Sequence, residues 1–120
     1  MKWFAVAAAG ALGAVTRYGL GVVVGVRSFP WTTLSINVAG SFLLAFLLAG
    51  PLAQRWSSTT TVAVTVGFLG AFTTFSTFGY ETVALARENR LSAAAAYIAA
   101  SMVLGLGAAA LGFWLGRLSS

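Results

Sequence analysis

Residues 72–78 read Phe-Thr-Thr-Phe-Ser-Thr-Phe inside an apolar run, so four hydroxyl side chains (Thr73, Thr74, Ser76, Thr77) lie among three rings. A single Ser or Thr in a membrane helix ordinarily bonds back to its own backbone. Four such residues in five positions exceed that role. They suit a place where a helix breaks, because hydroxyls can satisfy the backbone groups that a break releases. Released carbonyls can also bind a cation if they line a protected cavity. Gly67 and Gly70 precede the cluster and allow close backbone approach, which taken alone reads as a helix-packing face. Phe72, Phe75 and Phe78 recur every three residues, on roughly one helical face. On spacing alone they read as core or lipid-facing rings. Their electropositive edges can also help stabilise a small anion without a fixed positive charge.

Other polar residues interrupt the apolar runs. Asn37 lies about two turns into the second run, either as interhelical glue or as an N–H donor toward an anion path. Arg17 is expensive inside a span unless it snorkels or pairs, and its natural partners are exposed carbonyls or Glu81. Glu81 follows Phe78 by three residues and either pairs with Arg17 or titrates in a pathway. Tyr97 and Ser101, four apart, share a face of the last run. They either extend a hydroxyl track or bond within the bundle.

The elements that must position these groups are apolar throughout. Of 120 residues, 59% are hydrophobic and 8% charged, where a soluble domain carries roughly a quarter charged. The surrounding medium is therefore expected to be the lipid bilayer. Asp, His and Cys are absent, which removes disulfides, thiolate chemistry and nearly all transition-metal sites. Only Glu81 and Glu88 remain for acid–base work, so an enzyme is not expected. The net charge of +5 forms no basic stripe, and no nucleic-acid partner is expected. The N-terminal stretch resembles a signal peptide, but its apolar run is too long, and it reads as a retained first helix.

Four apolar segments cover approximately 3–26, 31–53, 59–86 and 91–115, each exceeding the roughly 20 residues that cross a hydrocarbon core. Trp3, Trp31, Trp56 and Trp114 fall near segment ends, as in an aromatic belt. The expected fold is one all-α domain, 1–120, with four transmembrane helices and the third broken at its centre. With alternating spans, Lys2, Arg55 and Arg117 share one side, and Arg27, Arg87 and Arg90 the other, with Arg17 deeper on that second side. Such balance gives almost no orientation signal. It suits a weakly biased monomer that inserts one way for other reasons or, as the sharper reading, a chain that inserts both ways and pairs as an antiparallel, dual-topology homodimer.

Together, residues 10–21 (GALGAVTRYGLG), 33–46 (TLSINVAGSFLLAF) and 67–81 (GFLGAFTTFSTFGYE) resemble the Fluc/CrcB family of small fluoride channels, in order and over all four spans. The resemblance implies antiparallel homodimers with two pores in the plasma (cell inner) membrane. Positions matching Phe75 and Phe78 would line the fluoride path, with Asn37 near the rings and Ser76, Thr77, Tyr97 and Ser101 in a polar track. Carbonyls matching Gly70 and Thr73 of both subunits would hold one structural Na+. Arg17 matches the family's first-helix Arg, and Glu81 its acidic position after the phenylalanines. Transport would be passive export. Two departures stand out. Many relatives read Gly-Phe-Cys-Gly-Gly where this chain has Gly67-Phe68-Leu69-Gly70-Ala71, and Gly105 stands where a second hydroxyl often lies.

Two other classes compete. A small dual-topology multidrug or cation exporter needs a carboxylate in its first span, and this first span has none. A non-transporting structural subunit would only pack against partners, and it predicts that Phe75→Ile and Phe78→Ile leave transport unaffected because none exists.

Overall fold

The computed structural model describes residues 1–120, and every regular element is helical. Helix α1 spans Lys2–Val24 and α2 spans Trp31–Ala49. The apolar pattern ran on to residue 53, but Gly50 is extended and Pro51 opens a separate short helix, α3 (Pro51–Arg55). Proline disfavours helical backbone in the residue before it and is well placed at the first turn of the next helix. The Ser57 hydroxyl accepts from Thr60 N at 3.1 Å and starts α4 (Ser58–Val62). The chain then runs through a wider, π-helical stretch, Ala63–Leu69, into a single turn, α5 (Gly70–Phe72). After two extended residues, Thr73 and Thr74, it resumes as α6 (Phe75–Arg87). Asn89 turns the chain at φ 59° into α7 (Leu91–Ser119). Asparagine tolerates that left-handed backbone better than most residues.

Four helical stretches are long and apolar enough to cross a membrane, the third being Ser58–Arg87 taken across its break. They alternate in direction. At one end Arg90 donates to the Ser28 carbonyl and ties the turn before α7 to the α1–α2 loop. At the other end Ser120 Oγ donates to the Ala49 carbonyl at 3.1 Å. Helices α2 and α7 therefore run parallel. Phe4, Val23, Leu106 and many other large apolar side chains are exposed. That is what lipid requires and water forbids.

Small residues let the helices approach closely. A Cβ on Gly116 would lie 2.7 Å from the Phe46 carbonyl oxygen, and one on Gly112 would strike the Phe42 carbonyl. On the other side a Cβ on Gly67 would lie 2.9 Å from the Val6 carbonyl oxygen. Thus α7 packs on α2, and the π-helical stretch on α1. Lipid tails are as apolar as leucine, so this van der Waals fit is a main source of helix association. Two small clusters complete the interior: Leu34, Phe78, Leu85, Ala94 and Tyr97, and beyond them Ile36, Leu69 and Phe72.

Candidate functional site

The break in the third span organises everything polar. Thr74 is extended, with φ −152° and ψ 126°, so its backbone groups leave the helical ladder. Asn37, on α2, takes both. Its Nδ2 donates to the Thr74 carbonyl at 2.9 Å, and its Oδ1 accepts from Thr74 N at 2.9 Å. The side-chain amide acts as a surrogate strand partner, and satisfying two part-buried backbone groups fixes the break against α2. Gly40 makes room for this, because a Cβ there would collide with the Thr73 methyl group. Thr73 Oγ1 bonds back to the Leu69 carbonyl at 2.9 Å. Thr74 Oγ1 accepts from Thr77 N at 3.2 Å and caps α6.

Arg17 reaches the break from α1, its Nε donating to the Ala71 carbonyl at 3.2 Å. A cation suits this position, since the last carbonyls of a helix carry partial negative charge. Glu81 is engaged elsewhere, accepting from the Tyr97 hydroxyl at 2.8 Å. Of the two partners the sequence offers Arg17, the structure forms the carbonyl contact. Tyr97 is fully buried, with its ring centroid 5.0 Å from that of Phe78.

Two cavities flank Thr74, which lines both. The first, about 600 Å³, is charged, and Arg17, Arg27, Thr77, Glu81 and Glu88 border it. The second, about 450 Å³, is neutral, and Asn37, Gly70, Thr73, Phe75, Phe78 and Ser101 border it. Phe75 and Phe78 stand 5.7 Å apart between centroids, at 48°. Phe78 is buried, whereas Phe75 is 77% exposed on the open side. The Ser101 hydroxyl is buried and has no hydrogen-bond partner.

The sequence-picked residues are thus mostly gathered, with exceptions. Ser76 is exposed and borders neither cavity, its hydroxyl 3.4 Å from that of Thr74. Thr77 faces the charged cavity and Tyr97 is enclosed in the core, so neither lies beside Ser101 in one continuous row. Phe72 leaves the face it was expected to share with Phe75 and Phe78 and packs on Ile36 and Leu69. Two extended residues between them reset the helical phase. Sequence reasoning missed Ser41, which borders the neutral cavity one turn after Asn37. The i,i+4 spacing was the available signal. It also missed Thr74 as the hub.

Gly70 and Thr73 border the neutral cavity, and their carbonyls lack amide donors. Thr74 N, the natural partner of Gly70, goes to Asn37, and Thr77 N, the natural partner of Thr73, goes to the Thr74 hydroxyl. Carbonyl oxygens of this kind fit a hard cation such as Na+.

This is the architecture of a small multi-pass membrane protein in which an interrupted span exposes backbone and hydroxyl groups to a cavity. The chain belongs to the CrcB-like family: the family described as "CrcB-like protein, Camphor Resistance (CrcB)" matches residues 4–113. It is 46% identical to a "Fluoride-specific ion channel FluC" of Idiomarina loihiensis over 87% of this chain and 83% of the relative. It is 44% identical to a protein of the same description from Nitrobacter winogradskyi, over 98% of both chains. A third such relative, from Thermus thermophilus, is 42% identical over 96% of this chain and 94% of its own.

Proposed function

We propose that this protein is a fluoride-selective channel of the plasma membrane, acting as an antiparallel, dual-topology homodimer with two pores. Fluoride that enters as neutral hydrogen fluoride would dissociate inside and leave passively down its electrochemical gradient. The observation that carries this reading is the buried, unpartnered Ser101 hydroxyl beside Asn37, Phe75 and Phe78 in a neutral cavity. A buried donor without a partner costs about 1–3 kcal/mol, which suits a donor kept for a transient ligand. The descriptions of the relatives as fluoride-specific channels point the same way.

The mechanism is replacement of hydration. Fluoride is small and holds water tightly, so a path must offer short donor contacts in water's place. Ser101 offers an O–H, Asn37 offers the second N–H of its amide, and Phe75 and Phe78 offer ring edges. None carries a full charge, so the anion is bound weakly enough to leave. Larger chloride fits short contacts less well. Thr77 contributes at the charged end of the route, and Tyr97 holds Glu81 in place there.

The dimer is supported by the balanced end charges and by the openness of the neutral cavity, where Phe75 is largely uncovered in one copy. A second, inverted copy would cover it. The Gly70 and Thr73 carbonyls of both copies would hold Na+ at their junction. There it would neutralise the carbonyl dipoles and fix the two breaks against each other.

The test is efflux from liposomes holding the purified protein, read with fluoride- and chloride-selective electrodes after adding a potassium ionophore. Fast fluoride release without chloride release is expected. No fluoride release from assembled protein would overturn the proposal in favour of a structural subunit, and release of both anions would overturn the selectivity argument. Assembly that is indifferent to replacing Na+ by a bulky organic cation would remove the structural-ion part.

A further inference from the structure

We propose that Ser41 is a further anion-ligating residue of the pathway, supplying from α2 the hydroxyl that α7 lacks at Gly105. The inference rests on the channel reading above. Helices α2 and α7 run in the same direction, and their contacts fix the register. Leu34 packs with Ala94 and Tyr97 at one end, and the Phe42 carbonyl abuts Gly112 further on. Between these limits α2 presents Asn37 and then, one turn along, Ser41, while α7 presents Ser101 and then, one turn along, Gly105. All four border the neutral cavity.

The two turns are built differently. At the first, α2 contributes an amide and α7 a hydroxyl. At the second, α7 contributes nothing: a Cβ on Gly105 would meet no atom within 4 Å, so the cavity has both room and no donor on that side. Ser41 is the polar side chain that the two helices offer in this second turn; Thr73 of the third span also borders the cavity, but its hydroxyl is bonded back to the Leu69 carbonyl. The Ser41 hydroxyl is uncommitted. Thr16, Thr65, Thr73, Thr82 and Ser119 each donate to the carbonyl four residues back. Ser41 does not join them, and neither does the unpartnered Ser101. They are the only Ser or Thr in the central turns of their helices, and both border the same cavity. A hydroxyl with no internal acceptor keeps its proton available to an anion in the cavity. An ion passing Ser101 would therefore meet its next donor on the opposite wall, one turn, or about 5.4 Å, further along.

The experiment compares initial fluoride efflux from liposomes for the wild type, Ser41→Ala, and the double variant Ser41→Ala with Gly105→Ser. Loss of one hydrogen bond to a charged ligand predicts efflux slowed roughly tenfold in Ser41→Ala. The double variant returns a hydroxyl to the same cavity from the opposite helix and is expected to recover most of the lost rate. A purely structural role for Ser41 would not be rescued across the cavity. Wild-type efflux in Ser41→Ala overturns the inference, as does failure of that variant to assemble, or a double variant as slow as the single. Each of these leaves the channel reading standing if the wild type conducts. A silent wild type would overturn the channel reading itself, and this inference with it.

Discussion

The two cavities on either side of Thr74 share that residue and differ in almost everything else. The larger is bordered by Arg17, Arg27, Glu81 and Glu88, the smaller by an amide, hydroxyls, backbone and rings. Charges at a mouth act over a Debye length, about 8 Å at physiological salt, and raise the local concentration of an approaching ion. Neutral donors act only at contact. On the proposed function, the arrangement would separate gathering an ion from passing it. Charge would stay where water still screens it, and the neutral cavity would use dipoles that release what they hold. Thr74 borders both and Asn37 holds it in place, so the contact that repairs the broken span also fixes the wall between the charged space and the neutral one.

The largest expected effect comes from removing that wall. Asn37→Ala strands both Thr74 backbone groups, at about 1–3 kcal/mol each. The thermal midpoint of the detergent-solubilised protein should drop sharply and fluoride efflux should fall to background. A variant as stable as wild type would show that the break holds itself. Next comes the neutral cavity. Phe78→Ile keeps an apolar side chain but loses the ring edge, and efflux should slow on the order of tenfold with assembly retained. Phe75→Ile should act in the same direction. If both variants assemble and conduct like wild type, the rings are core and boundary residues only. The smallest effect belongs to the charged mouth. Arg27 is exposed, and its Nε reaches only the Val24 carbonyl, at 3.1 Å. Arg27→Gln should slow efflux about twofold at low ionic strength, and the difference should vanish in high salt. The Phe78 effect should not depend on salt. An Arg27 effect that survived high salt would erase the distinction between the two cavities.

Much of this was legible in the residues. The hydroxyl cluster suited a broken helix, because four such side chains together exceed what back-bonding requires, and the break falls at Thr73 and Thr74. Asn37 and Ser101 stood out as polar residues within apolar runs, the family resemblance added Phe75 and Phe78, and all four border one cavity. Their functional roles rest on the proposal. What failed was inference by periodicity across the break. Phe72 belongs to a different helical phase from Phe75 and Phe78, so its spacing from them carried no facial information. Ser76 and Thr77 both lie in α6, where the ordinary step of about 100° between neighbours turns one to open surface and the other to the charged cavity.

By itself the sequence determined where the chain crosses the membrane. In hydrocarbon every backbone group must bond within the segment, so a long apolar run with polar punctuation has almost no other option than a spanning helix. Proline and glycine set the ends, as Gly50 and Pro51 do for α2. Only the tertiary structure decided which faces meet. Helices that are apolar nearly all round carry little directional signal. Partner choice then rests on where glycines admit a neighbouring carbonyl and where a lone polar group finds a mate. Asn37 could have bonded many groups. It bonds Thr74, because Gly40 lets the broken span lie against α2 and because Thr74 is where two backbone groups were left without partners.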